Sequence, residues 1–430
     1  VTPHLRIARR HLAHNWFRTG ISVAGVAIGS CFMIALSALM AGFETKFVRE
    51  TIEASPHVVV YDEFRAAPDE FATWLSRSVG GVASVASSHP RDRVNRIKKP
   101  LELIESLRTM ERVAAAAPNV VGTSILNFGS REVGAQLVGI DPEQQERVVS
   151  TDEFMTEGRL LDLHSASGAI ILGSGLAERL GVKRGDTVGT ALRASGGTAL
   201  STASGGGERA RALRVVGVFH TGIVPIDAVR AYTLVTLAQQ LLGLGRDVNR
   251  VVLRLVDHRE AREVAADVEA MTGYRTESWQ EANANFLSIF TLQKFITYIV
   301  TSGITIVAAF GILNVLIMLV LEKLPEIAML KSMGYTAGDV TIVFLLEGFA
   351  IAALGVVLGS IGGYALTEFL GSLPIPQKGL IESEHLVMAN TPDLYAIAAL
   401  FSFASTLVAA TLPALRAGRL DPVVTLRGRA

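Results

Sequence analysis

Cysteine is almost absent: Cys31, set inside an apolar run, stands alone among 430 residues. That excludes a disulfide framework and a multi-cysteine metal centre. It leaves the compartment open, because many exported domains carry no disulfide. An excess of charge is also missing, since 40 Lys and Arg balance 40 Asp and Glu. Nucleic-acid binding normally shows as a basic excess, so that class has no support. Neither Gly-x-x-x-x-Gly-Lys-Ser/Thr nor His-Glu-x-x-His occurs, which removes a P-loop ATP site and a zincin site from this chain. Leu172-Gly-Ser-Gly-Leu-Ala-Glu178 superficially matches a dinucleotide fingerprint. Its third glycine position is Glu178 and no long parallel βαβ series surrounds it, so it reads as a tight strand-to-helix turn. His11 and His14 lie in a basic flank, while His220 and His385 stand alone, and each reads as a surface residue. Spacing defines no metal ligands and no nucleophile–base pair, so the chain reads as not an enzyme by itself.

What is present is apolar sequence, half of all residues, concentrated in runs. Residues 19–43 form an uncharged run of about 25 residues where a membrane span needs about 20. It is too long for a signal-peptide core and reads as a retained span. Three more runs occupy 295–321, 340–370 and 394–415. The short flanks set orientation through their arginines and lysines. Arg6, Arg9, Arg10 and Arg18 precede the first span, and Arg416, Arg419, Arg427 and Arg429 follow the fourth. The 371–393 loop carries Lys378 against Glu382, Glu384 and Asp393. Both termini, 1–18 and 416–430, and the 322–339 segment are therefore expected on the cytoplasmic side. Helical periodicity runs beyond the first span to residue 53, and the second helix starts near Trp279. From there to Leu321 is about 60 Å of helix, twice a hydrocarbon core, so stalks are expected at 44–53 and 279–294.

Residues 54–278 read as a mixed α/β region of two small lobes. Expected strands are 56–61, 120–128, 133–140, 169–172, 187–192, 213–219, 231–235, 250–255 and 274–276; Gly129-Ser130-Arg131 forms a hairpin. Helices are expected at 101–117, ended by Pro118, and after the Asp141 cap with Pro142 in its first turn. Further helices are expected from Ser174 to Gly181, at 236–242 and at 259–272. The polar 63–99 stretch, with Arg91, Arg93, Arg96, Lys98 and Lys99, fits a solvated loop or an anionic-lipid contact. The 194–211 stretch is a mobile Gly/Ser loop.

Between the second and third spans lies Glu322-Lys-Leu-Pro-Glu-Ile-Ala-Met-Leu-Lys-Ser-Met-Gly-Tyr335. Pro325 suits a first helical turn and Gly334 a stop. Ile327, Leu330 and Gly334, with Met333 beside them, recur on one face, while Glu322, Lys323, Glu326 and Lys331 keep the helix at the membrane surface. A docking helix and a solvated connector both fit. Glu347, about two turns into the third span, is either functional or reaches the headgroup water. Gly355, Gly359, Gly362 and Gly363 permit close helix packing.

The sum is an α-helical integral membrane protein with four transmembrane helices and a large α+β extracytoplasmic, periplasmic domain inserted between the first and second. That layout resembles the FtsX/MacB-type permeases of ABC transporters. Ser278-Trp-Gln-Glu-Ala-Asn283, Val307-Ala-Ala-Phe-Gly-Ile-Leu-Asn314 and Leu316-Ile-Met-Leu-Val-Leu-Glu322 look like the second-span region of the lipoprotein-releasing (Lol) branch. Glu326-Ile-Ala-Met-Leu-Lys-Ser-Met-Gly334 is similar to its coupling helix, and the run from Leu412 to Arg427 to its C-terminal signature. Val138-Gly-Ile-Asp-Pro142, the Leu172–Ala177 and Leu180–Asp186 patches and Val216-Gly-Val-Phe-His-Thr-Gly222 agree in the outer region.

The resemblance implies a permease in the bacterial inner membrane with a second permease subunit, identical or sister, and a separate ABC ATPase dimer that binds the ATP and Mg. This chain would need no cofactor of its own. The ATPase would grip Glu322, Glu326, Ile327, Met329, Leu330, Lys331, Met333 and Gly334. An acylated lipoprotein would sit between the first two spans, with Met33, Leu36, Met40, Phe43, Phe286, Phe290 and Phe295 as candidate acyl contacts. As apolar residues on helices, each taken singly is better explained by ordinary packing. The family's hook for a periplasmic carrier protein falls at 194–211, which here lacks the proline-and-arginine pattern. The 63–99 stretch is an insertion, and Glu347 stands where the family more often has glutamine. A macrolide-exporter-like efflux permease usually carries a fused N-terminal ATPase, and about 18 residues precede the first span here. An FtsX-like regulator of a cell-wall hydrolase typically has a smaller outer domain. Both remain alternatives.

Overall fold

A computed structural model describes residues 10, 16–63, 96–192, 211–375, 377–379, 382, 383 and 385–419. Most of the 63–99 stretch, the Gly/Ser loop, the tail after 419 and Arg6, Arg9, His11 and His14 lie outside the described residues. The chain divides into two compact units. A helical unit comprises the chain to Lys46, Phe286–Gln377 and the chain from Ser383; a sheet unit comprises Phe47–Asn285 with Lys378–Glu382.

The first long helix is α1 (Trp16–Ala54). The sheet unit then runs β1 (Val58–Tyr61), α2 (Pro100–Arg108), β2 (Val113–Phe128), β3 (Arg131–Ile140), α3 (Pro142–Val148), β4 (Met155–Glu157), β5 (Ala169–Gly173), α4 (Ser174–Leu180), β6 (Thr187–Leu192) and β7 (Arg211–Phe219). It closes with α5 (Val224–Asp227), β8 (Arg230–Leu234), α6 (Val235–Leu242), β9 (Arg250–Leu255), α7 (Ala261–Thr272), β10 (Arg275–Ser278) and α8 (Trp279–Ala282). The strands form one ten-stranded sheet in the order β10-β1-β9-β2-β3-β8-β5-β7-β4, with β6 paired to β2 and β7.

The long strand β2 belongs to both halves of that sheet. Its first part pairs with β9, through Pro118 opposite Val251 and Asn119 opposite Arg250. From Val120 opposite Gly139 onward it pairs with β3, as far as Phe128 opposite Arg131. This corrects the helix expected at 101–117, which ends at Arg108. The alanines at 114–117 favour helix locally, but pairing with β9 and burial override that preference. Pro118 is not a helix stop; it sits where β2 changes partner, a place that tolerates a residue without an N–H. On one face of the β3–β8–β5–β7 region, Leu126, Leu137, Ile170, Leu172 and Leu213 pack under Leu176, Leu180, Leu237 and Leu241 of α4 and α6. On the other, Ile140, Ile171, Phe219 and Tyr232 meet Leu160 and Leu163. Strand alternation delivers both cores.

The helical unit continues through α9 (Ala284–Glu322), α10 (Leu324–Ser332), α11 (Ala337–Ser372) and α12 (Pro392–Arg419). Helices α1, α9, α11 and α12 are long and apolar enough to cross a membrane. Small residues make the closest contact between α11 and α1. A Cβ at Gly355 would lie 2.5 Å from Val26 Cβ, one at Gly359 2.6 Å from Ser30 Cβ, and one at Gly363 3.0 Å from Ile34. These glycines, four residues apart, let α11 lie directly against α1. Gly362 is off that line, with only ordinary contact to Cys31.

Candidate functional site

Helix α10 follows α9 after a one-residue break at Lys323, with Pro325 in its first turn. Gly334, at φ +99°, turns the chain out of it, and the Tyr335 N–H donates to the Leu330 carbonyl. No neighbour crowds Gly334, so its requirement is conformational. Thr336 then caps α11 reciprocally with Asp339.

One side of α10 is fixed. Ile327 packs with Leu319, Val320, Val340, Phe344, Ala414 and Ala417, joining the ends of α9, α11 and α12. Lys331 donates from Nζ to the Gly418 carbonyl at 2.7 Å, which satisfies a carbonyl in the last turn of α12. A Cβ on Gly418 would meet Thr341 Oγ1 and the Ala337 carbonyl, so this joint is tight. Lys323 Nζ pairs with Glu326 at 2.5 Å, and Glu322 is ion-paired with Arg18 of α1. The expected docking set therefore divides. Ile327 and Lys331 hold α10 in the bundle, Glu322 at the end of α9 ties that helix to α1, Leu330 is half-buried, and Glu326, Met329 and Met333 are exposed. Met329 and Met333 are 61% and 73% exposed, one turn apart. Two adjacent bare methionines make an adaptable apolar contact surface.

The expected acyl contacts divide as well. Met33 is buried with Ile34 against Ala398 of α12. Leu36, Met40, Phe43 and Phe286 are half-buried, Phe290 is buried and Phe295 is exposed. Phe43 and Phe290 meet edge to face, centroids 5.8 Å apart, and bring α1 and α9 together. Beside them Glu44 accepts an ion pair from Lys294 at 2.7 Å. The Arg18–Glu322 pair closes the other end. Between the two pairs lie about 26 residues of α1 and about 28 of α9, or about 40 Å of helix, which matches a bilayer with its interfacial regions.

Glu347 is 1% exposed, so the headgroup-water reading is overturned: the carboxyl lies inside the helical unit. It shares a stripe of α11 with Phe344 and Ile351, which belong to two successive core clusters. Sequence reading missed two features. The small buried stripe on α12, Ala398, Ser402, Thr406, Ala410 and Ala414, was legible as four-residue spacing. The grouping of His220 with Ser174, Asp227 and Glu382 was not, and it corrects the reading of His220 as a solitary surface residue.

Residues 19–271 match the family described as MacB-like periplasmic core domain, and 298–422 match FtsX-like permease C-terminal. The chain belongs to the FtsX/MacB-type permeases. It is 26% identical to "Lipoprotein-releasing system transmembrane protein LolC" of Neisseria meningitidis serogroup B, covering 96% of this chain and 94% of that one. It is 28% identical to the LolC protein of Xylella fastidiosa, covering 99% and 97%. The "Macrolide export ATP-binding/permease protein MacB" of Hyphomonas neptunium is 25% identical over 99% of this chain but only 61% of its own length. This FtsX/MacB-type permease is thus a multi-pass membrane protein with a periplasmic core domain.

Proposed function

We propose that this permease works with a separate ABC ATPase dimer to release acylated lipoproteins from the outer leaflet of the inner membrane. The ATPase supplies bound ATP and Mg and the hydrolysis; the permease performs no chemistry. The observation that carries the reading is the division of α10. One side is locked to three long helices through Ile327 and Lys331, and the other presents Glu326, Met329 and Met333. A helix built this way receives force on one face and delivers it to α9, α11 and α12 through the other. Both termini and α10 face the cytoplasm in this reading. A second permease subunit completes the complex, and the α1–α9 seam around Phe43, Phe290 and Phe295 meets the acyl chains. Recruitment of a carrier protein by 194–211 is a separable part of the proposal. Similarity to LolC over nearly the whole chain supports lipoprotein cargo. Similarity to MacB makes export of small amphipathic molecules the competing reading.

The test is mass spectrometry of the complex gently solubilised from native membranes, with Met329→Glu/Met333→Glu as the comparison. Co-purification of a P-loop ATPase and a triacylated lipoprotein is expected, with the ATPase lost from the double variant. An ATPase without lipoprotein supports the efflux reading, and an ATPase retained by the double variant removes α10 as the docking element.

A further inference from the structure

His220 lies just beyond β7, where four elements converge. Its Nδ1 is 2.9 Å from Ser174 Oγ at the start of α4 and 3.2 Å from Asp227 Oδ2 at the end of α5. Its Nε2 is 3.4 Å from Glu382 Oε2. The chain carries Glu382 on the connector between α11 and α12, yet Lys378–Glu382 belongs to the sheet unit. A second bond holds it there: the Glu382 N–H donates to the Gly222 carbonyl at 2.8 Å. Glycine at 222, with φ +77°, turns that carbonyl outward two residues after the histidine.

The group is not a hydrolytic triad. A general base must keep one ring nitrogen free for the serine proton while the acid holds the other. Here Asp227 competes with Ser174 for the same nitrogen. Asp227 is itself a fixed anchor, buried and accepting from the Thr221 N–H, the Thr221 hydroxyl and the Gly222 N–H at 2.8–3.1 Å. Burial pushes its carboxyl up, against the pull of these donors and of His220. The Glu50 carboxylate lies on the far side of Gly222, 3.7 Å from where a Cβ would be. Among the described residues, the ion-pair partners of His220 are Asp227 and Glu382, both acidic.

We propose that His220 and Glu382 form a proton-responsive clasp that holds the connector, at Glu382, on the turn at Gly222. A neutral imidazole has one N–H. If it serves Glu382, Nδ1 can accept from the Ser174 hydroxyl but turns its lone pair toward the Asp227 carboxylate; if it serves Asp227, Nε2 faces Glu382 as an acceptor. An imidazolium donates to both carboxylates at once. Histidine is the side chain that changes charge near neutral pH, so acidification tightens the clasp and alkalinity loosens it. His220 and Glu382 are partly exposed, at 39% and 43%, which keeps the effect moderate. The clasp stands independently of the cargo and of the ATPase.

The test is hydrogen–deuterium exchange of the full chain in detergent at about pH 5.5 and about pH 8, corrected for intrinsic exchange. The reporter is the Glu382 amide, with β5 amides as the folding control. Protection of Glu382 should be about threefold greater at the lower pH. His220→Gln, which keeps a donor but does not titrate, and Glu382→Gln at the exposed end should both remove that difference with β5 unchanged. Equal protection of the native chain at both pH values overturns the clasp, as does a pH dependence that survives in either variant.

Discussion

The two units solve the burial problem in different ways. In the sheet unit the inside is large and aliphatic: Ile140, Leu160, Leu163, Ile170 and Phe219 are nearly inaccessible. In the helical unit small residues share the inside with large ones such as Ile312, Leu316 and Phe344. On α11 it includes Gly348, Gly355, Gly359 and Gly363, and on α12 Ala398, Ser402, Thr406 and Ala410. Many large apolar residues of these helices, such as Phe349, Leu358, Phe369 and Leu400, point outward. Water drives large side chains into the sheet unit's core. Lipid offers no such drive, because hydrocarbon outside is as apolar as leucine inside, so close backbone approach and hydrogen-bonding hydroxyls take over. Buried Thr301, Thr305 and Thr406 each donate to the carbonyl four residues earlier, which lets hydroxyls sit inside without leaving helix.

That contrast breaks most sharply at Gly359. A leucine there meets the Ala27 carbonyl within 2.7 Å and Ser30, and neither backbone can give way. Gly359→Leu should cost more than about 3 kcal/mol and abolish folded protein after heating in detergent. Gly362→Ala, whose Cβ would reach only ordinary contact with Cys31, should leave the melting temperature within a degree or so. Equal effects at the two sites would show that α11 does not pack on α1 through this stripe.

The sheet unit has its own sensitive point, and it is electrostatic. His57 is buried, and burial first, then the charges of Arg254 and His258, press its imidazole down to about 4. Its Nδ1 accepts from the Leu255 N–H at 3.1 Å, a bond the protonated ring loses. Because the folded value is depressed, the unfolded chain binds the extra proton first. Stability is full above about pH 6.5 and falls as pH drops toward about 4, by at most about 3 kcal/mol before solvent screening. Exchange of the Leu255 amide across that range should follow this curve, and His57→Gln should flatten it. An unchanged curve in the variant would place the acid sensitivity elsewhere.

Smaller effects test the joints of the helical unit. Lys331→Gln shortens the reach to the Gly418 carbonyl, and loss of that charged bond should cost about 1–2 kcal/mol locally. It should speed exchange in the last turn of α12 while ATPase co-purification persists, since the outward face of α10 is intact. Loss of the ATPase as well would make Lys331 part of the docking face. The Glu44–Lys294 pair is the mildest. A double-mutant cycle should return at most about 1 kcal/mol and shrink with salt.

Residue pattern alone determined much of this protein. Four apolar runs, the hairpin at Gly129, the Asp141 cap and the stop at Gly334 follow from local chemistry, because hydrophobic length, turn residues and caps act over a few neighbours. The same locality explains the failures. Ala114–Ala117 reads as helix until β9, more than 130 residues later, claims it as strand. Met33 and Phe43 look alike as apolar helix residues, yet one turns toward α12 and the other toward α9. Glu322 and Glu326 are equally charged in the sequence; the arginine on α1 takes the first and leaves the second outside. His220 stands alone in the chain and meets its carboxylates only when α5 and the distant connector converge. Which partner a side chain finds depends on contacts between segments far apart in sequence, and no local pattern encodes that choice.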